Sequence, residues 1–325
     1  MSIALTHRRF GGKSSIEDGT EEHPFLIKNA ADFIAFKQEI ADGNIFDGIY
    51  HKIVNDIDLN YSQIPYSSTE DYYGFLDGNH KTLKNIYING VDNTLIRYVQ
   101  RDIKCLRLTN VILNSTAPPN NPMVGIVCYA LGGTLDRISV DGTFTSTGNG
   151  GGLVASTLPF GCVTNCYTNV DMSMTNYPSG GIMGRAYSSG VAGDRRIENS
   201  IAVGNVISVQ GEACGIIGYQ DLAMTIRNCV AAMNILQTKN TTANRITGRL
   251  LGTYINNYAL DSMLVKGATV SNGTTINANG ANATESQLKS TSFYRDVLGW
   301  DMDTIWEIET EGVTFPRLRG FNYNF

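Results

Sequence analysis

Apolar residues recur along this chain in a short beat that breaks at fixed places. Between Leu83 and Leu260 one six-residue phrase occurs seven times, at Leu83–Ile88, Ile103–Leu108, Leu135–Val140, Val163–Thr168, Ile197–Ala202, Ile226–Ala231 and Ile255–Leu260. Its first, fourth and sixth positions are small or apolar, as in Ile226, Cys229 and Ala231, whereas positions two and five admit Lys, Asp, Arg, Glu, Ser and Tyr. This is the in-out alternation of a strand with a kink near position three, too short for a helical period. A second phrase, rich in Gly and aliphatics, alternates with the first: Gly151-Gly152-Leu153-Val154, Gly180-Gly181-Ile182-Met183-Gly184 and Cys214-Gly215-Ile216-Ile217-Gly218, with looser copies at Val124–Val127 and Ile246–Gly252. Each unit therefore holds at least two short apolar strands separated by turns of Gly, Asn, Ser and Thr.

The phrases start 20, 32, 28, 34, 29 and 29 residues apart, a period that marks stacked units touching only their neighbours. A single chain coiling as a parallel β-helix meets these conditions. About seven coils at the strand spacing of ~4.8 Å make a rod of about 34 Å. The third position is Asn in five copies, Asn85, Asn165, Asn199, Asn228 and Asn257. Asn tolerates the left-handed backbone of tight turns, and stacked amides can each donate to one neighbour and accept from another. We expect these five to form an internal structural ladder and none of them to be catalytic.

The strand edges at both ends of such a rod need cover. Asn29 to Gly43 reads as a helix: Asn29 caps it, Phe33, Phe36 and Ile40 form an apolar stripe, and Gly43 ends it. The expected plan is an arm over residues 1–20, a small N-terminal α/β cap over 21–72, the β-helix over 73–268 and a C-terminal cap over 269–325. That last segment holds both tryptophans, Trp300 and Trp306, and reads as an aromatic plug. Residues 1–20 are polar and read as an attachment segment that folds only against something else.

Composition narrows the partners. Only 17% of the 325 residues are charged and the net charge is −5, with no basic patch for nucleic acid. No run approaches a membrane span, and Met1 to Arg9 lacks the apolar core of a secretory signal. The cysteines are Cys105, Cys128, Cys162, Cys166, Cys214 and Cys229. Cys166 and Cys229 fall on the inward fourth position, so free buried thiols are expected. All four His precede residue 81, away from the cysteines, so no metal or cofactor is expected.

These residues resemble a known family. The order is a Pro24-Phe25-x-Ile27 strand, the Ala30-to-Ile40 helix and Asn55-Asp56-Ile57-Asp58-Leu59. Gly74-Phe75-Leu76-Asp77-Gly78-Asn79-His80-Lys81-Thr82-Leu83, the repeats and Leu298-Gly299-Trp300-Asp301 with Trp306 and Phe315-Pro316 follow. Over residues 24–320 this looks like the GLUG-motif β-helix proteins of bacterial surface proteins and bacteriophage structural genes. The third and fourth repeats depart from that family's glycine-rich spacing, and residues 1–20 have no counterpart in it. The resemblance implies an all-β, right-handed parallel β-helix. It assigns no function, because one fold hosts enzymes, adhesins and spacers.

For catalysis, β-helix polysaccharide enzymes need clustered carboxylates or a base beside bound calcium on one stacked face. Here Asp136, Asp141, Asp171, Glu198, Glu212 and Asp221 are scattered, and Asp194-Arg195-Arg196 with Glu198 reads as a solvated loop. A non-enzyme is expected. For binding, Tyr61, Tyr66, Tyr72 and Tyr73 crowd one loop beside Glu70 and Asp71. Tyr66, Asp71, Tyr72 and Tyr73 are candidate ligand residues, since Tyr suits sugar faces and flat interfaces; the competing expectation is that the rings pack the cap on the first coil. Without a signal segment, the expected setting is a phage virion: a spike, fibre or decoration, attached to other virion proteins through residues 1–20, contacting host-surface glycan or protein. The alternatives are a tailspike-type polysaccharide depolymerase and a bacterial cell-surface adhesin. A homotrimer would suit a spike, yet no heptad stretch supplies a trimerising stalk.

Overall fold

The computed structural model describes residues 17–91, 93–116, 123–187, 193–239 and 241–325. The chain is a right-handed parallel β-helix of about eight turns. One coil shows the plan. Strand Thr134–Ser146 bends at Arg137, whose φ of 55° is left-handed, and so serves two sides of the coil. Asn149–Gly151 makes the third side and Val154–Thr157 the fourth. In later coils the bend splits the first strand in two, as in Cys162–Thr164 with Tyr167–Met174 and Arg196–Glu198 with Ile201–Ser208. Each strand pairs in parallel with its counterpart one coil away, giving a 16-stranded sheet around the bend and sheets of five and six strands on the remaining sides.

In-register stacking builds the interior by columns. Ile103, Leu135, Val163, Ile197 and Ile226 lie above one another, all fully buried. Burying each such side chain contributes about 1.5–3 kcal/mol. The Gly-aliphatic phrase makes the corner between the third and fourth sides. A Cβ on Gly151 would sit 1.8 Å from the Val154 carbonyl oxygen, and one on Gly180 would sit 2.2 Å from that of Met183. The chain doubles back so tightly there that only hydrogen fits. The same column continues as Cys214 and Asn244, so the demand relaxes toward the C-terminal end.

The register corrects the sequence reading in two places. Ile103 pairs with Leu76, and Leu83 pairs with Leu108. The first phrase, Leu83–Ile88, therefore follows the bend, whereas the later phrases straddle it. Its 20-residue spacing to the second phrase, shorter than the rest, is the trace of this offset. At the other end Ile226 pairs with Tyr254, so the seventh phrase begins at Tyr254 and not at Ile255. The first coil also starts earlier than residue 73: Tyr50–Ile53, Ile57–Asp58 and Asp71–Tyr72 already pair with the next coil as its first, second and fourth sides.

At the N-terminal end helix α1 (Ala30–Ala41) buries Phe33, Phe36, Lys37 and Ile40, with the Asn29 side chain accepting from the Asp32 N–H. The outer edge of strand Phe25–Ile27 carries carboxylates where a neighbouring strand would pair. Glu17 Oε2 accepts from the Leu26 N–H at 3.1 Å and Asp32 Oδ2 from the Lys28 N–H at 2.9 Å. Such capping protects an edge from pairing with another chain. Residues 1–16 of the expected arm lie outside the described residues. Glu17 to Thr20 are tied to the cap, with the Tyr50 N–H donating to the Gly19 carbonyl.

The C-terminal end is closed by strand Ala281–Ala283 over Tyr258–Leu260 and by Arg245. The Arg245 guanidinium, fully buried, donates to the carbonyls of Leu260, Asn279 and Gly280 and to Asn282 Oδ1. The aromatic tail does not plug this end as expected. It turns back and runs along the outside of the bend. The Trp300 indole donates to the Asn228 carbonyl at 2.9 Å, and Asn256 donates to the Val297 carbonyl at 2.8 Å. Far down the rod Phe321 packs on His80 and Tyr323 lies against Arg107. The tail is a strap linking the last coils to the first.

Candidate functional site

Three groups of outward residues bear on function: those at the bend, the Tyr loop, and a cleft beside the first coils. At the bend Cys105, Arg137, Asn165, Asn199, Asn228 and Asn256 all take left-handed φ between 47° and 55°. Asn228 donates to Asn199 Oδ1 and Asn256 to Asn228 Oδ1, each at 3.1 Å, which makes a three-residue amide ladder. Asn165 shares the column but donates to Asp136 Oδ1 at 2.9 Å. Asn85 stands in a separate column, where it accepts from Asn110 and donates to Asp58. Asn257 is not a rung. It is fully buried and points inward, accepting from the Cys229 N–H at 3.0 Å and donating to the Ile226 carbonyl. Ser200 does the same in the preceding coil, accepting from the Cys166 N–H at 3.0 Å. The bend interrupts the strand ladder, and these inward polar atoms satisfy the N–H that follows it.

The outward carboxylates are tied to neighbouring side chains. Asp136 accepts from Thr164 and Asn165 and pairs with Arg137. Asp141 accepts from Thr109, the Asn110 N–H and Arg107. Asp171 accepts from Asn205, Glu198 pairs with Arg227 and Arg196, and Asp221 pairs with Arg185. Most of these links join adjacent coils. A glycosidase needs an acid whose proton is available and a partner carboxylate at a set separation; carboxylates held by cations and amides stay ionised and serve as ties. Among the described residues no group of three or more His, Cys, Asp or Glu side chains gathers as a metal site.

The Tyr loop divides. Tyr72 is fully buried, its hydroxyl 3.1 Å from His51 Nδ1 and its ring edge-on to Phe36, so it packs the cap and cannot meet a ligand. Burial pushes its phenol well above the usual range. Asp71 accepts from Gln100 at 3.1 Å, and Tyr66 accepts from Arg97 Nη1 at 2.7 Å. Tyr73 is half-buried and joins the cap through its backbone. The structure does not bring these four together on one surface.

It does bring together residues far apart in sequence. A cleft of about 730 Å³ lies over the first side of the first coils, between the segment Glu17–Pro24 and the strands. Its floor holds Tyr50 and Phe75, stacked at 4.4 Å between centroids with planes 16° apart. Along one wall Lys52, Asp77 and Lys104 alternate in sign in successive strands. A second hollow of about 490 Å³ shares Phe75 and Asp102 and continues past Gly132 to the exposed ring of Phe160. Sequence reasoning missed Tyr50 and Phe75. The signal was there: aligning Tyr50-His51-Lys52 with Phe75-Leu76-Asp77 as two successive turns of the helix places the rings side by side.

No family model matches this chain, and no curated protein matches it. Among solved structures it is similar to the crystal structure of a putative immunoglobulin A1 protease from Bacteroides ovatus, with a TM-score of 0.74 and 21% sequence identity. The alignment covers 93% of this chain and 94% of that one, so the two share a fold over nearly their whole extent. At this identity the likeness concerns the fold alone.

Proposed function

We propose that the protein is a non-catalytic β-helical rod that presents its side to an extended carbohydrate at a host surface, as a spike, fibre or decoration of a bacteriophage particle. Residues 1–20 are the segment we assign to docking on the particle, and the GLUG-type resemblance belongs to the same proposal. The observation that carries the binding reading is the cleft of about 730 Å³ with Tyr50 and Phe75 on its floor and alternating Lys52, Asp77 and Lys104 on its wall. Rings flanked by donors and acceptors at regular strand spacing suit a chain of polar rings. The non-catalytic reading is supported by the ties on the outward carboxylates.

A peptide-hydrolase reading would follow from the name of the Bacteroides ovatus structure. It needs a nucleophile, and burial raises all six thiols above the ordinary cysteine range, away from the thiolate that attacks.

The test is a panel of bacterial polysaccharides incubated with the purified protein, with binding and reducing-end release measured on the same samples. Binding without release, weakened about tenfold by Phe75→Ala as one stacking contact is lost, is the expected result. Release that disappears in Asp77→Asn or Asp102→Asn would make the protein a depolymerase. Mass spectrometry of purified particles tests the setting: multi-copy peptides place it on the virion, and recovery only from the cell envelope makes it an adhesin.

A further inference from the structure

The arginines of this acidic chain are nearly all neutralised by carboxylates. Arg101, Arg107, Arg137, Arg185, Arg196, Arg227, Arg295, Arg317 and Arg319 each pair with Asp or Glu, and Arg245 is buried against carbonyls. Among the described residues Arg97 and Arg249 are surface arginines with no carboxylate partner. Both lie on the fourth side of the rod, and both are held by tyrosine. Arg97 donates to Tyr66 at 2.7 Å and lies 4.8 Å from the ring of Tyr129 and 5.4 Å from that of Tyr98. Arg249 donates to the Tyr219 hydroxyl at 3.3 Å and lies 5.8 Å from its ring.

We propose that this side binds an anionic oligosaccharide, carboxylated or sulfated, with its acid groups taken by Arg97 and Arg249 and its sugar rings set against Tyr98, Tyr129 and Tyr219. This rests on the glycan-binding reading above and names the ligand class and the residues. A guanidinium steadied by a tyrosine keeps its fork free for a planar anion and loses little freedom on binding. Aromatic rings beside it supply the apolar contact that a sugar face needs. Register places Tyr98, Ala130, Ser156, Arg185 and Tyr219 in one outward column, so small residues separate the two Arg-Tyr clusters. Five strand steps put Arg97 and Arg249 about 24 Å apart along the axis. One short fragment therefore reaches one cluster, and a longer chain engages both and gains by linkage.

The experiment measures binding of the full chain to immobilised heparin (sulfated), polygalacturonate (carboxylated) and dextran (neutral), with polyglutamate as a peptide polyanion. The wild-type chain is expected to bind heparin or polygalacturonate, more weakly as salt rises, and to prefer fragments long enough to span both clusters. Arg97→Ala and Arg249→Ala are each expected to weaken binding about tenfold, the size of one charge-assisted contact, while Arg295→Ala leaves it unchanged. Arg249 is exposed, so its variant tests the idea even if Arg97→Ala disturbs the loop. Unaltered binding by Arg249→Ala, or equal affinity for polyglutamate, overturns the proposal. Binding to dextran alone also overturns it and leaves the glycan-display reading standing, whereas no polysaccharide binding at all removes both.

Discussion

At the scale of single residues, the described structure is governed by what burial does to polar groups. Lys37 Nζ and Glu70 Oε2 meet at 2.9 Å with both side chains fully buried. The carboxylate also accepts the N–H groups of Ser67 and Arg97, which ties helix α1 to the first and second coils. Desolvation lowers the Lys37 ammonium from its ordinary range, partly offset by Glu70. Replacing one partner leaves the other charge alone in the core. Lys37→Met or Glu70→Leu is expected to cost about 3–5 kcal/mol, and the double replacement much less, because desolvation consumes most of what such a pair gains. Equilibrium unfolding of the three variants checks this. The thiols make stability depend on pH. Burial pushes Cys214 and Cys229 up to about 12, whereas an unfolded cysteine ionises near ~8.5. Above that value the unfolded chain releases protons that the folded chain keeps, so stability falls with rising pH until the folded thiols titrate. Denaturation midpoints should drop between about pH 8.5 and 10, with a shallower slope in Cys214→Ala/Cys229→Ala, and iodoacetamide should label these thiols only on unfolding.

At the scale of the element, two corners decide how a coil closes. The bend needs left-handed backbone, which costs an ordinary residue about 1–2 kcal/mol. Asn228 meets that need and carries two amide links as well. Asn228→Gly should keep the backbone and lose only the links; Asn228→Ala should lose both, so Ala is expected to destabilise more than Gly. The reverse order in unfolding experiments would assign the column to hydrogen bonding alone. The opposite corner depends on closeness, not on dihedral angle. Gly151→Ala drives a methyl into the Val154 carbonyl and is expected to cost at least about 1–3 kcal/mol. The bend column was legible as a pattern because a left-handed position recruits one residue type. Asn257 was misassigned because two adjacent Asn occupy one bend, and only pairing with Ile226 and Arg227 shows which of them turns the chain.

At the scale of the whole molecule, the strap sets the cooperativity. Stacked coils alone interact only with neighbours and fray from their ends. The segment after Leu288 joins the coil of Asn256 to the coils of Asp56 and His80 through Val297, Arg319 and Asn322. It also buries Trp300, Trp306 and Tyr294 against the rod. A chain ending at Leu288 is expected to unfold over a broader denaturant range and to bind a hydrophobic dye in its native state. A transition as sharp as that of the full chain would show that the coils need no strap.

The sequence by itself determined the coil. Apolar phrases of period two, broken by Asn and Gly at regular intervals, leave a parallel solenoid as the structure that buries every copy, and the N-terminal helix was marked by its cap and stripe. These signals are local, set by neighbouring residues along the strand. The tertiary structure alone decided the register, the path of the aromatic tail and the grouping of surface residues. Aromatic composition shows that the tail must be buried but not against which side. Pairing of Tyr50 with Phe75, or of Arg97 with Tyr129, joins residues about one coil apart, and a coil's length varies with its loops. Which side chains share a face therefore depends on how many residues each loop takes up, a quantity that strand patterning leaves free.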